Sequence, residues 1–217
     1  MNEPLAIANL KANKNWDETL AWLEQVAPMA KAFSGTVILC PSAPFIASAA
    51  ITIRSKDLKI ELGAQDISMF EQGPYTGEVA ASQIADLVKY TIIGHSERRT
   101  NLREDDAVLA QKAKNAKSAG IEPIFCVQNA ITPIPPGAKI VAYEPVFAIG
   151  TGKADTPEDA GEVAAQIKSK GDYTVVYGGS VTAENAASFI KKSITGVLVA
   201  SASQDPKSFN QILNAIK

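Results

Sequence analysis

Eight short apolar runs, alternating with longer helix-like stretches, recur along this chain, and no other feature restricts its fold as much. The runs are Leu5 to Ala8, Thr36 to Cys40, Lys59 to Leu62, Tyr90 to Ile93, Glu122 to Val127, Ile140 to Tyr143, Tyr173 to Tyr177 and Val197 to Val199. They are short and mostly unalternating apolar runs, the pattern of strands buried on both faces in a parallel sheet. Helical spacing fills the intervals. Asp17 to Phe33 places Leu20, Leu23, Val26 and Ala27 on one face. Pro44 to about Arg54, Ala80 to Val88, Glu104 to Ala119 (stopped by Gly120), Pro157 to Lys170 behind a Thr156 cap, Glu184 to Lys191 and Pro206 to Ile216 supply the rest. A helix follows every run except the fifth. There, Gln128 to Gly137 holds Pro133, Pro135 and Pro136, which exclude a helix of any length. Repeated right-handed βα units in this number favour a closed (β/α)8 barrel, typically about 250 residues, over an open doubly wound sheet. At 217 residues the expectation is a compact α/β barrel that lacks the helix after strand five. With no linker or shift in composition, residues 1–217 read as a single domain.

Composition excludes several classes. The 21 basic and 23 acidic residues leave a net charge of −2, so no general attraction to nucleic acid or to a membrane surface is expected. Cys40 and Cys126 stand far apart and the chain has 1 histidine, which rules out a standard zinc spacing. The first residues lack the basic segment and apolar core of a signal peptide, and no apolar run approaches a membrane span. A reduced, cytoplasmic setting is the expectation.

In a closed barrel, reactive groups sit at the carboxyl ends of the strands. Those ends collect Asn9 and Lys11, His95, Glu144, the Gly178-Gly179-Ser180 turn and Ala200-Ser201. An acid, an imidazole and an ammonium thus converge on one mouth. The chemistry open to them is proton abstraction by Glu144, carbonyl polarisation by His95 and anion binding by Lys11. The stretch from Val141 to Ala154 launches Glu144 from a strand, stiffens at Pro145, continues through apolar Val146 to Ile149 and ends in Gly150-Thr151-Gly152. That is the make-up of a lid able to swing over a charged group, and equally of an ordinary strand-to-helix loop. Taken singly, Lys11 reads as a solvated lysine, His95 as a structural histidine and Gly-Gly-Ser as a turn; their shared placement is the stronger signal. The residue five before Gly152 is Phe147, so no phosphate-loop motif is present. Glu97-Arg98-Arg99 reads as an ion-pair cluster supporting its loop.

At these residues the chain resembles the triosephosphate isomerase family. A-N-L-K-A-N near the start is similar to the family's G-N-W-K-M-N. P-Y-T-G-E-V, I-I-G-H-S-E-R-R, A-Y-E-P-V-F-A-I-G-T-G-K and Y-G-G-S-V match almost letter for letter, in the family's order. The resemblance implies a TIM barrel that interconverts dihydroxyacetone phosphate and D-glyceraldehyde 3-phosphate through an enediol(ate), in glycolysis and gluconeogenesis, without cofactor or metal. By position it implies Glu144 as base, His95 as neutral electrophile, and Lys11 and Asn9 in contact with substrate. It further implies a lid from Pro145 to about Ala154, and backbone N–H groups of Gly150, Ser180 and the Ala200-Ser201 turn on the phosphate. The family is itself a known instance of pKa tuning by a Glu base, a neutral His and a water-excluding lid. Glu97 would support the site, with Ile149 and Leu198 as apolar clamps. Tyr75 and Thr76 lie in the segment that inserts into a partner subunit in this family, so a homodimer is implied.

Three departures stand out. The family's paired glycines after strand eight are Ala200-Ser201, which is expected to loosen the grip on phosphate unless the Ser201 hydroxyl replaces a lost hydrogen bond. Phe147 replaces a lid Trp, and Asn129 replaces a Glu after strand five, removing a charge near the mouth. Where the helix is missing, Ile131, Pro133, Ile134, Pro135 and Pro136 are expected to pack down as an apolar plug. Another phosphosugar aldose–ketose isomerase and a catalytically weak phosphate-binding protein are the competing readings.

Overall fold

A computed structural model of the chain describes residues 3–145, 154–190 and 193–217. Eight parallel strands close into a barrel in sequence order: β1 (Leu5–Asn9), β2 (Thr36–Cys40), β3 (Glu61–Ala64), β4 (Tyr90–Ile93), β5 (Glu122–Val127), β6 (Ile140–Tyr143), β7 (Thr174–Tyr177) and β8 (Gly196–Val199). β1 closes the ring by pairing on both sides, Asn9 opposite Cys40 and Ala8 opposite Val199. The helices among the described residues are α1 (Trp16–Ala32), α2 (Ile46–Ser55), α3 (Ala81–Ile84), α4 (Ser96–Asn101), α5 (Asp106–Ser118), α6 (Pro157–Lys168), α7 (Ala186–Phe189) and α8 (Pro206–Ala215). None is long and apolar enough to cross a membrane.

Period-two alternation along each strand builds two apolar layers. Ile7, Ile38, Ile92, Ile124, Val176 and Leu198 form the inner cluster, while Ala6, Ala8, Leu39, Phe125 and Val141 join Trp22, Leu23 and Phe209 in the outer layer beneath the helices. Local signals set the helix starts. In α1, Asn15 accepts from Glu18 N–H at 3.0 Å while its own N–H donates to the Glu18 carboxylate at 2.8 Å, a reciprocal cap. In α6, Thr156 Oγ1 accepts from Asp159 N–H at 3.1 Å. Trp22 Nε1 donates to Ser203 O at 2.7 Å and its ring lies 5.3 Å from Phe209, sealing the first helix to the last.

The structure moves several expected boundaries. β3 spans Glu61–Ala64 rather than Lys59 to Leu62. Gly63 belongs to the strand because the inner wall has no room there: a Cβ at Gly63 would stand 2.7 Å from Cys40 Sγ. Such a glycine reads as a strand breaker in sequence, which hides it. The helices expected over Ala80 to Val88 and Glu184 to Lys191 contract to the four residues of α3 and of α7. Pro44 sits in a 3-10 turn, Ala43–Phe45, that leads into α2. The six-residue α4 is additional to the expected helices.

No helix lies between Val127 and Ile140. β5 and β6 nevertheless stay paired from Ile124 opposite Ile140 to Val127 opposite Tyr143. Asn129 organises the replacement turn, its Oδ1 accepting from Ile131 N–H at 3.0 Å, Thr132 N–H at 2.9 Å and Thr132 Oγ1 at 3.1 Å. Asn129, where the family resemblance leads one to expect a Glu, serves here as a turn-forming amide. The Lys170 ammonium adds a hydrogen bond to Ala130 O. The expected plug forms only in part. Ala130 and Ala138 are buried and Ile134 packs against the core, but Ile131 is 83% exposed, because the Asn129 turn holds its backbone inward and its side chain stands outward.

Candidate active site

β1 ends at Asn9, whose Oδ1 turns back to accept from Lys11 N–H at 3.0 Å. Lys11 takes the left-handed backbone region, φ +52, a conformation that costs a residue with a side chain roughly 1–2 kcal/mol. Its ammonium is bonded to the Glu97 carboxylate.

β4 leads to His95 through Gly94, whose φ of +77 suits glycine. His95 caps α4: Nδ1 accepts from Glu97 N–H at 3.2 Å, so in the neutral ring the proton sits on Nε2. That Nε2 lies 3.3 Å from Glu144 Oε1. The neighbouring charges behave as the expected supporting cluster: Arg98 pairs with Asp66 at 2.8 Å and Glu104 at 2.6 Å, and Arg99 with Asp106 at 2.9 Å.

Glu144 continues the β6 ladder for one residue, its N–H donating to Val127 O at 2.8 Å. It is only 1% exposed. Burial raises its carboxyl above the ordinary 4.5, outweighing His95, the Ser96 N–H, the Cys126 thiol and the Lys11 ammonium, all of which pull it down. Ser96 N–H reaches Oε2 at 3.1 Å. Gly178 makes room for this side chain, since a Cβ there would stand 2.9 Å from Glu144 Cγ. Cys126, an inward residue of β5, is pushed well up by burial, with the adjacent Glu144 adding to it.

On the far wall, the turn after β7 brings Gly178, Gly179 and Ser180 to the mouth, and a short 3-10 turn, Ser201–Ser203, starts after Ala200, the residue that leaves β8. Ser203 anchors that turn, its hydroxyl donating to Ala200 O at 2.7 Å. The whole encloses a cavity of about 360 Å³ lined by Asn9, Lys11, His95, Glu144, Ser180, Leu198, Ala200 and Ser201, with Val181, Thr182 and Ala202 completing the wall. Among the described residues no group of three or more His, Cys, Asp or Glu side chains is placed to hold a metal ion.

Every expected contact residue that the structure describes therefore meets in one cavity. Ile149, Gly150 and Phe147, and with them the expected lid apart from Pro145 and Ala154, lie outside the described residues. Tyr75 and Thr76 are exposed on a separate loop, where Tyr75 stacks on Phe70 at 4.1 Å. Sequence reasoning missed Ser96, Cys126 and Asp155. Ser96 and Cys126 follow from position, one beside His95 and the other one residue from the end of a strand. Asp155 carries no such signal: its carboxylate accepts from Tyr143 OH at 3.1 Å and its N–H donates to Tyr177 OH at 2.8 Å, joining the exits of β6 and β7.

A closed (β/α)8 barrel with a buried carboxylate, an imidazole and an ammonium at its carboxyl-end mouth belongs to the class of barrel enzymes that work from strand ends. Comparison with known proteins narrows the class. The family model described as triosephosphate isomerase matches residues 4–133 and 133–216, its two segments meeting in the loop that lacks a helix. The triosephosphate isomerase of Mesomycoplasma hyopneumoniae (strain 7448) is 35% identical over 236 residues, covering 96% of this chain and 98% of the relative. That of Halorhodospira halophila is 35% identical over 256 residues, covering 99% and 98%. The crystal structure of triosephosphate isomerase from Bartonella henselae superposes with a TM-score of 0.86 at 27% identity, covering 98% of each chain. The chain belongs to the triosephosphate isomerase family.

Proposed function

We propose that this chain interconverts dihydroxyacetone phosphate and D-glyceraldehyde 3-phosphate, with Glu144 as the base that moves a proton between adjacent carbons. Glu144 takes the proton from carbon and His95 Nε2–H polarises the carbonyl and protonates the developing oxyanion of the enediol(ate). The deprotonated Nε2 then takes the proton of the neighbouring hydroxyl as Glu144 returns its own proton to that carbon, which leaves both residues as they began. Lys11 binds the substrate's anionic charge, Asn9 contacts substrate, and the backbone of Ser180 and the Ala200-Ser201 turn receives the phosphate, joined by Gly150. The observation that carries this reading is the 3.3 Å approach of Glu144 Oε1 to His95 Nε2 inside the cavity that Lys11 also lines. Burial favours the reaction by making the carboxylate a stronger base. Leaving the Ser96 N–H on engaging substrate would remove a group that stabilises its charged form and raise its basicity further. A coupled isomerase assay tests the reading, with longer sugar phosphates as competitors for the three-carbon substrate.

Residues 1–217 act as one domain in this proposal, in the cytoplasm and as a homodimer through the loop around Tyr75 and Thr76. The exposed Phe70–Tyr75 stack supports such a contact, with the two residues 37% and 42% exposed. Sedimentation at micromolar concentration tests it: a dimer mass is expected, and a monomer mass would contradict the contact.

A further inference from the structure

The peptide of Lys11 is held from both sides. Among the described non-glycine residues, Lys11, Lys14, Asp57 and Arg103 have positive φ, and of these only Lys11 lines the cavity. Its N–H is taken by Asn9 Oδ1 at 3.0 Å. Its carbonyl accepts two side-chain donors, Ser42 Oγ at 3.0 Å and Gln65 Nε2 at 2.7 Å. Gln65 Nε2 also donates to Cys40 O at 3.0 Å, on the last residue of β2. The two acceptor sites of the Lys11 carbonyl are thus filled from the loops after β2 and β3, while its N–H is tied to the end of β1.

A strained backbone persists only where its surroundings over-determine it. Here the strained residue carries an ammonium into the site, and the carbonyl two bonds from its Cβ is fixed by the paired donors. We infer that Ser42 is a positioning residue that, with Gln65, holds the Lys11 backbone in its left-handed state and so aims the ammonium at the bound anion. This rests on the assignment of Lys11 to the substrate anion made above. Without the Ser42 hydroxyl, Gln65 alone holds the Lys11 carbonyl, and the less firmly held peptide shifts toward an ordinary conformation, drawing its ammonium off line. The loss falls on binding, because a lysine on the anion meets ground state and transition state alike.

The test is steady-state kinetics with competitive inhibition by inorganic phosphate on the parent, Ser42→Ala and Ser42→Thr, each checked by thermal unfolding. In Ser42→Ala, KM and the phosphate inhibition constant rise together by about three- to tenfold while kcat stays within about twofold, the pattern of lost uniform binding. Ser42→Thr, which keeps the hydroxyl, restores both constants. A merely structural serine would shift the unfolding temperature without this split and without rescue. The inference is overturned by a folded Ser42→Ala whose two constants match the parent, by a fall in kcat at unchanged KM, or by a loss that Thr does not restore. Should Ser42→Ala not fold, Ser42→Cys keeps the size with a weaker donor, and parental constants in that folded variant overturn the inference equally. If the parent shows no turnover, the isomerase reading falls separately, and calorimetric binding of inorganic phosphate to the same variants still decides the role of Ser42.

Discussion

His95 presents its Nε2 to Glu144 Oε1 at 3.3 Å because its other nitrogen, Nδ1, is occupied by the Glu97 N–H at 3.2 Å. One backbone hydrogen bond therefore decides which nitrogen offers a proton to the cavity. His95→Gln retains a donor of different reach and acidity. It is expected to lower kcat by about 10²- to 10⁴-fold, the usual worth of a general acid–base group, with a smaller effect on KM. Steady-state kinetics checks this, and a kcat near that of the parent would remove His95 from the chemistry.

Burial of Glu144 has consequences for both rate and stability. Its folded pKa lies above the unfolded value near 4.5, so as pH rises the unfolded chain releases this proton first. Below that pH both states are protonated and nothing is lost; above it the folded state loses stability until its own, higher pKa is passed. The acid limb of kcat/KM is therefore expected above 4.5. The difference in Tm between Glu144→Gln and the parent is expected to be more favourable to the variant at pH 8 than at pH 4. An equal difference at both would contradict a carboxyl whose pKa is raised by burial.

Gly178 serves the base by having no side chain. A Cβ 2.9 Å from Glu144 Cγ forces one of the two to move. Gly178→Ala is expected to cut kcat by about 10²-fold, the scale of a misplacement near 1 Å, while leaving the barrel folded. Circular dichroism alongside kinetics separates the two effects.

The Ala200-Ser201 turn has a φ of −107 at Ala200, so neither residue needs glycine's left-handed freedom. Whatever the two side chains do to binding acts through space at the cavity wall. Replacing both by Gly is expected to lower KM by about threefold, roughly what 0.6 kcal/mol corresponds to, with kcat little changed. An unchanged KM would mean that the Ser201 hydroxyl already compensates.

Much of this was legible in sequence where chemistry is local. The eight apolar runs place Asn9, His95 and Glu144 at strand ends with no knowledge of distances, because a closed parallel barrel sends every such end to one mouth. The position of β3 is hidden because Gly63 looks like a break in sequence, whereas Cys40 fills the space opposite it. Ile131 was expected to be buried because it is apolar, and hydrophobicity does not reveal that Asn129 makes a turn under it. Ser42, Gln65 and Asp155 left no trace in the pattern, since each acts through a hydrogen bond between elements distant in sequence.

The central claim, that Glu144 abstracts a proton from a three-carbon sugar phosphate, is tested most directly by a coupled assay of dihydroxyacetone phosphate and D-glyceraldehyde 3-phosphate interconversion on the parent and Glu144→Gln. Turnover in the parent, with a loss of about 10²- to 10⁴-fold or more in a folded variant, is the expected result. No turnover in the parent, or a variant as active as the parent, would contradict it.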